Sequence, residues 1–142
     1  MNRLQSILQK VPKSGETYNL TMKIHPDTKH STSITAYGAG WVAVGGQKVT
    51  SSFIVSTEVG LLPWDCTRFE DLTLAHFEQI AQMDMELLIF GSGETLRFAP
   101  PAIMLPFYRR QLGVETMDTG AACRTYNFLA SEGRKVVAAI LL

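Results

Sequence analysis

The sequence has 142 residues, and its 13 basic side chains are balanced by 13 acidic ones, so the formal net charge at pH 7 is zero. A chain of this length suits one compact domain with a real core. The balanced charge argues against a nucleic-acid-binding protein, because affinity for the phosphate backbone depends on clustered Lys and Arg. No apolar run approaches the length of a membrane span, which predicts a soluble protein.

The N-terminal segment, residues 1–17, is predicted to be a tail or a short helix, and residues 18–142 are predicted to form a single domain. Apolar side chains recur at helical spacing from Leu4 to Val11, with basic residues between them. Acidic residues are absent before Glu16, a feature shared with mitochondrial presequences. The pattern favours a short helix or a frayed tail, with a presequence as the alternative.

An antiparallel β region is predicted to follow this segment. Leu20, Met22 and Ile24 alternate with polar residues, which indicates a strand that ends at Pro26. Further strands are predicted at residues 34–37, 41–44, 47–49 and 53–55. The pair Gly45-Gly46 lies between two of them and predicts a hairpin, since the favoured hairpin turns need positive φ.

Residues 60–71 are predicted to form a loop, after which the apolar period changes to that of a helix over residues 74–81. Trp64 is expected to anchor the loop by covering an edge of the core, with a ligand platform as the alternative. Thr73 is well placed as the N-cap of the helix.

Four large apolar residues at 87–90 are followed by Gly91-Ser92-Gly93, which predicts a strand buried on both faces that ends in a tight loop. A helix is expected over residues 102–112, with Met104, Phe107 and Tyr108 facing inward. Pro106 marks the start of its regular part, and Gly113 is expected to end it.

The C-terminal part continues with a buried strand at residues 114–117, parallel to the one at 87–90, and a third helix that ends at Gly133. Asp118-Thr119-Gly120 is expected to cap this helix. Residues 136–142 are almost wholly apolar and predict a strand in the middle of the sheet. Strand-helix units after a β region are typical of a layered α/β domain.

A search for catalytic and metal-binding groups finds no complete constellation. Gly91-Ser92-Gly93 lacks the third glycine and the immediate helix of a dinucleotide fingerprint, and Glu94 would repel a phosphate, so a tight turn explains these glycines better. Ser92 is not in a G-x-S-x-G elbow. No histidine pair has metal-ligand spacing; the histidines are His25, His30 and His76. The acidic candidates are expected to be solvated; these are Asp65, Glu70, Asp71 and Glu78.

The two cysteines, Cys66 and Cys123, are too few for a disulfide scaffold and indicate a reducing compartment. Cys123 lies in an early turn of the third predicted helix, where a thiol pKa can fall. A small, buried, apolar role is the favoured interpretation.

A crevice is predicted where the strands ending at Phe90 and Met117 lie side by side, because ligands bind at the carboxyl ends of strands in open α/β sheets. The free N–H groups of the third helix could receive an anion there. The candidate ligand-binding residues are Gly91, Ser92, Gly93, Asp118, Thr119 and Gly120. This argument predicts a location and not an activity.

The sequence resembles one family of unknown biochemical function, found in bacteria and archaea. The C-terminal block carries the resemblance in three stretches, at residues 113–119, 123–127 and 132–139, and the strand and glycine loop at 88–93, Trp64 and the Tyr37-Gly38 turn fit it as well. The human members of the family include NADH dehydrogenase 1 alpha subcomplex assembly factor 3, a mitochondrial protein, and an adipogenesis-associated domain protein. This chain looks like a bacterial, cytoplasmic member, with mitochondrial import as the alternative if residues 1–13 are a presequence.

The resemblance implies a single three-layer domain (β+α/β/α) with a mixed central sheet, and it supplies no catalytic residues, cofactor or metal. Two functions therefore stay open. The favoured one is a non-catalytic, assembly-factor-like domain with a protein partner. The alternative is a binder of a small molecule or anion, or an enzyme, that uses the crevice.

Overall fold

A computed structural model describes residues 32–142. Three interpretations therefore lie outside the described residues: the tail, helix or presequence at residues 1–17, the strand at Leu20–Ile24, and the environments of His25 and His30. All of the described residues belong to, or connect, two β-sheets and three α-helices.

A three-stranded antiparallel sheet opens the described chain. Its strands are β1 (Ile34–Gly38), β2 (Trp41–Val44) and β3 (Gln47–Val49). Gly45 and Gly46 have φ values of 59° and 84° in the turn between β2 and β3. The predicted hairpin is confirmed, and its turn uses the positive φ that glycine adopts without a steric penalty.

A second sheet has five strands in the order β5-β4-β8-β6-β7. Its strands in chain order are β4 (Phe53–Ser56), β5 (Gly60–Pro63), β6 (Leu87–Gly91), β7 (Gly113–Met117) and β8 (Val136–Ile140). Strand β6 is parallel to β7 and β8, whereas β4 is antiparallel to β5 and β8. The predicted mixed sheet is confirmed.

Strands β6 and β8 lie in the interior of this sheet, and every residue of both is buried. Alternate side chains of β6 point to opposite faces. Leu88 and Phe90 join a cluster with Phe77 and Phe107, and Ile89 joins a separate cluster on the other face. A sheet covered on both faces needs apolar residues at consecutive positions, which explains the run at residues 87–90.

Three α-helices complete the layers: α1 (Leu74–Ala81), α2 (Leu105–Arg109) and α3 (Thr119–Ser131). Helices α1 and α2 pack on one face of the five-stranded sheet, and α3 packs on the other face together with the three-stranded sheet. This arrangement confirms the three-layer β+α/β/α architecture.

The predicted helix N-caps are both present. Thr73 precedes α1, and its N–H donates to Nδ1 of His76 over 3.0 Å. Asp118 precedes α3, and its Oδ1 accepts from the N–H of Ala121 over 2.9 Å. The Asp118 oxygen satisfies one of the amides that the first turn of α3 leaves unpaired, whereas at the start of α1 the His76 ring accepts the N–H of the cap residue itself.

The loop predicted for residues 60–71 is wrong at its start, because Gly60–Pro63 forms the edge strand β5. A proline usually argues against a strand, and Pro63 therefore concealed β5 in the sequence. At the end of an edge strand, however, proline is tolerated. A short 3₁₀ turn, Phe69–Asp71, lies near the end of the segment. Trp64 is buried and contacts Phe77 and Phe90 edge-on, so it anchors the segment as expected.

The helix predicted at residues 102–112 is shorter than expected, and of its three residues predicted to face inward, Met104 and Phe107 do so. A 3₁₀ turn, Pro101–Met104, precedes α2, and proline at the second position of α2 is compatible with a helix start. Phe107 is buried, but Tyr108 is 52% exposed and does not face inward. Gly113 does not end the helix: Gln111 has a φ of 56°, and Gly113 already belongs to β7.

Strand β7 is adjacent and parallel to β6 as predicted, but it is not buried. It lies at the edge of the sheet, and Gly113 and Glu115 are exposed. Both cysteines are free and buried. Burial raises the pKa of the Cys123 thiol to about 11, which confirms its apolar role and contradicts a lowered pKa.

Candidate functional site: a crevice at the carboxyl ends of the parallel strands

A cavity of about 560 Å³ lies at the end of the five-stranded sheet where β6, β7 and β8 finish. We call it the crevice. Ser92 and Gly93 form part of its wall after β6, Thr119 contributes from the start of α3, and Leu141 contributes from the end of β8. Other parts of the wall come from Gly38 and Gly40 beside the turn between β1 and β2, from the segment that carries Arg68, and from Arg97. The prediction that a crevice borders these strand ends therefore agrees with the geometry.

The Ser92 side chain organises the loop after β6. It is fully buried, and its Oγ donates to the carbonyl of Thr95 over 2.8 Å and accepts from the N–H of Arg97 over 3.0 Å. Its N–H donates to the carbonyl of Met117 over 2.9 Å. These bonds hold the loop and leave the hydroxyl engaged with the backbone, which is the role of a structural residue.

Glycine is required at both ends of this loop for different reasons. A Cβ on Gly91 would lie 2.7 Å from Cδ1 of Ile140 and 3.2 Å from Cβ of Ala122, so a side chain there would force the packing of β6 against β8 and α3 to shift. Gly93 has a φ of 109°, which L-residues with a side chain rarely adopt. Tight packing and turn geometry therefore account for the glycines, in agreement with the favoured interpretation.

Three amides at the start of α3, those of Thr119, Ala121 and Ala122, are paired within the protein. The N–H of Thr119 donates to the carbonyl of Gly93 over 2.8 Å, and the N–H of Ala121 donates to Asp118. Thr119 Oγ1 donates to the carbonyl of Leu141 over 3.1 Å. These contacts bind the start of α3 to the loop and to the end of β8. Of the six candidate residues, the crevice wall contains Ser92, Gly93 and Thr119, whereas Gly91, Asp118 and Gly120 do not line it.

Two arginines that the sequence argument did not assign line the crevice. The Arg97 guanidinium lies 4.4 Å from the centroid of the Phe69 ring and forms a 3.1 Å ion pair with Glu70. Arg68 forms a 3.4 Å ion pair with Asp71. The sequence signal for Arg97 was its place directly after the glycine loop, but nothing in the sequence brings Arg68 to the same wall.

The His76 ring and the Cys66 thiol, which could act as a base and a nucleophile, are engaged in structural contacts. Nδ1 of His76 accepts from the N–H of Thr73, and Nε2 lies 2.6 Å from the carbonyl oxygen of Asp65. Cys66 Sγ contacts the carbonyl of Arg68 over 3.2 Å, and burial, with Asp71 nearby, raises the pKa of this thiol to about 11. The four carboxylates considered above, at positions 65, 70, 71 and 78, are exposed as expected.

The described part of the chain has neither a metal-binding cluster nor a membrane-spanning helix. Residues 32–142 contain no group of three or more His, Cys, Asp or Glu side chains arranged to hold a metal ion. Within the same residues, none of the helices has the length and apolar character needed to cross a bilayer.

Comparison with known proteins identifies relatives over most of the chain. The family described as "Protein of unknown function (DUF498/DUF598)" matches residues 34–141. The NADH dehydrogenase [ubiquinone] 1 alpha subcomplex assembly factor 3 of Xenopus tropicalis is 27% identical over 92% of this chain and 73% of its own length. An uncharacterised protein of Rhodobacter capsulatus is 32% identical over 76% of this chain and 82% of its own length.

Solved structures show the same fold. A crystal structure of a Bordetella parapertussis protein is similar with a TM-score of 0.73 and 35% identity, and the match covers 77% of this chain and 93% of that protein. The relatives thus include bacterial proteins as well as assembly factors of animals, and this chain looks like a bacterial member. The extent of these matches shows that the chain belongs to the DUF498/DUF598 family of proteins of unknown function.

Proposed function

We propose that this protein is a non-catalytic interaction domain that assists the assembly of a respiratory NADH dehydrogenase. The observation that carries this proposal is the similarity to a protein named as an assembly factor of that enzyme, which extends over 92% of the chain. An assembly factor acts by binding a partially assembled protein, so the expected partner is a protein subunit.

The geometry of the polar side chains supports a binding role. Ser92 and His76, which are among the groups that could act as a nucleophile or base, hold the backbone in place through hydrogen bonds. Both thiols have a raised pKa because they are buried, so they are protonated at neutral pH. A protein that uses its reactive groups for its own structure is suited to binding without turnover.

Deletion of the gene in a host that contains this respiratory enzyme tests the proposal. We expect native gels of the membranes to show less of the full complex and more of the partial complexes. A tagged copy of the full chain should retain subunits of the same enzyme, and a tag alone should not. A plasmid copy should restore assembly. Normal assembly in the deletion strain, together with no retained subunit, would overturn the proposal.

The proposed site of action is the cytoplasm of a bacterial cell, where the protein would meet subunits of the enzyme before they assemble. Cell fractionation with an antibody against the chain tests this location. Recovery of the protein with the periplasm would contradict it, and import into isolated mitochondria would instead favour the presequence interpretation of residues 1–13.

A second candidate function is weak binding of a small anion, such as phosphate or a carboxylate, in the crevice. The observation that favours it is the position of Arg68 and Arg97 in the wall shared with Gly93 and Thr119. Arginine is well suited to bidentate contacts with such anions. Glu70 and Glu94 line the same cavity and oppose a negative ligand, so we expect binding only at millimolar concentration.

An NMR titration with phosphate tests the second function, using Arg97→Ala and a matched control. The control is Arg134→Ala, because Arg134 also makes a 3.1 Å ion pair and has similar exposure but lies outside the crevice. We expect shifts confined to Ser92, Gly93 and Thr119 that disappear in Arg97→Ala and persist in the control. Shifts scattered over the surface, or an unchanged titration in Arg97→Ala, would contradict anion binding in the crevice.

A further inference from the structure

Exposed large apolar side chains are concentrated in one segment of the described chain. Seven such side chains are exposed within residues 32–142, and four of them lie between positions 96 and 108. These four are Leu96, Phe98, Leu105 and Tyr108. Single apolar residues are common on protein surfaces, whereas a group of them is typical of an interaction site. The grouping indicates a contact with another molecule at this place.

Helix α2 turns one side to the core and the other side to solvent. Phe107 is fully buried, whereas Leu105 is 40% exposed and Tyr108 is 52% exposed. Residues three or four positions apart share one side of a helix, so Leu105, Tyr108 and Arg109 lie together on the exposed side. Phe98, which is 70% exposed, lines the same cavity as Tyr108. We call the surface formed by Phe98, Leu105, Tyr108 and Arg109 the α2 face.

The charges on and beside the α2 face are unevenly distributed. Residues 95–114 contain three arginines and no acidic residue. Arg109 is exposed and forms no ion pair with the described part of the chain. Glu115 lines a cavity together with Tyr108, so one carboxylate borders the aromatic side chains as well. An acidic residue of a partner would therefore be attracted to Arg109 and repelled by Glu115, which would fix its orientation.

The α2 face is held in place before any partner binds. Pro100, Pro101 and Pro106 restrict the backbone of the segment, because the proline ring fixes φ. Phe107 is fully buried, and Ile103 packs against the same core cluster. An ordered surface loses little conformational entropy when it binds, so more of the contact energy remains as affinity.

We propose that the α2 face is the docking surface for the assembly partner, and that it binds a protein segment in which apolar side chains lie next to an acidic residue. The apolar side chains would cover Phe98, Leu105 and Tyr108, and the carboxylate would pair with Arg109. Aromatic residues and arginine are enriched among the interface residues that contribute most to binding. The partner is a subunit of the respiratory enzyme named under the proposed function, so this docking surface rests on that function.

Tagged full-chain variants test the docking surface. Phe98→Glu and Tyr108→Glu should each reduce the retained NADH dehydrogenase subunits about tenfold or more, the effect of losing one strong contact. The matched control is Phe128→Glu, because Phe128 is 63% exposed but lies on α3, which packs on the other face of the sheet. Urea denaturation reports whether each variant folds, and Tyr108→Ala supplies a milder change at the same position.

The outcomes separate the docking surface from the assembly function. Equal retention by the wild-type chain and the Phe98 and Tyr108 variants would overturn the docking surface and leave the assembly function standing. An equal loss in Phe128→Glu would also overturn it, because the effect would not be specific to the α2 face. No retained subunit with the wild-type chain would overturn the function and the docking surface together.

Charge variants test the acidic character of the partner segment. Arg109→Glu should reduce retention about five- to tenfold, and Lys48→Glu, the control at an exposed cation of the three-stranded sheet, should leave it unchanged. Retention by the wild-type chain should fall as salt is raised from about 50 to 300 mM, and Arg109→Ala should weaken this dependence. Equal retention by Arg109→Glu and Lys48→Glu would contradict an acidic residue opposite Arg109.

A photo-crosslinking residue at position 108 identifies the occupant. With p-benzoylphenylalanine in place of Tyr108 in the full chain, irradiation should link the protein to a subunit of the NADH dehydrogenase. A link to a second copy of the chain, or to residues 1–31 of the same chain, would show that the protein itself covers the α2 face and would overturn the proposal.

Discussion

The N–H of Thr119 donates a hydrogen bond to the carbonyl of Gly93 over 2.8 Å, and this bond joins the loop after β6 to the first residue of α3. The same loop receives a second link, because the N–H of Ser92 donates to the carbonyl of Met117 at the end of β7. The loop and helix start that form the crevice are therefore one hydrogen-bonded unit. A change at any of its buried polar groups should be felt as a loss of stability.

Replacement of Asp118 by alanine is expected to lower the free energy of unfolding by about 1 kcal/mol, because it removes the acceptor for the N–H of Ala121 at the start of α3. The midpoint of urea denaturation measures the change. Asp118→Asn keeps a side-chain oxygen and is expected to retain most of the stability. An unchanged midpoint in Asp118→Ala would mean that this cap does not stabilise the helix.

Ser92→Ala is expected to cost about 1–3 kcal/mol, because the buried hydroxyl is the partner of the Arg97 N–H and the Thr95 carbonyl. Thermal unfolding followed by circular dichroism provides the measurement. The control is Ser51→Ala, since Ser51 is exposed and should be almost neutral. If both variants unfold at the wild-type temperature, the hydroxyl does not hold the loop.

Gly91→Ala is expected to destabilise the protein by about 1–3 kcal/mol through overpacking, since the new Cβ would approach Cδ1 of Ile140 to 2.7 Å. Ile140→Val removes that Cδ1 atom and should itself cost about 0.5–1.5 kcal/mol. We expect the double variant to lose less stability than the sum of the two single variants. Additive losses in urea denaturation would show that Ile140 is not the obstacle to a side chain at position 91.

The two cysteines are expected to resist a thiol reagent in the native protein at pH 8 and to react once it is unfolded. Burial raises the pKa of the Cys123 thiol from 9.0 to about 11. Burial is also the main reason that the pKa of the Cys66 thiol is raised to about 11. Because each thiol ionises more readily in the unfolded chain, its contribution to stability is present below about pH 9 and is lost as pH rises towards 11. Rapid labelling of either cysteine in the native protein would contradict this environment.

Cys123→Ala should weaken the alkaline loss of stability, as measured by denaturation at pH 7 and pH 10.

Several elements were predictable because their cause is local. The apolar run at residues 87–90 specifies a strand buried on both faces, and the glycines at 45 and 46 specify a hairpin turn with positive φ. Asp118 caps α3 because an acceptor side chain at that position stabilises a helix by pairing with an amide of its first turn. The sequence also determined that a crevice lies after β6 and β7, since parallel neighbours end at the same side of a sheet.

Other features depended on contacts between residues that are far apart in the chain. Strand β4 pairs with β8 through Phe53 and Ile140, so it belongs to the central sheet and not to the N-terminal β region, and β5 is defined by its pairing with β4. Tyr108 is exposed because only one side of α2 meets the core, and Arg68 reaches the crevice because the segment after Trp64 folds across the strand ends. Local propensity carries no information about such long-range pairing, and therefore only the tertiary structure decided which strand lay at the edge and which side chains lined the crevice.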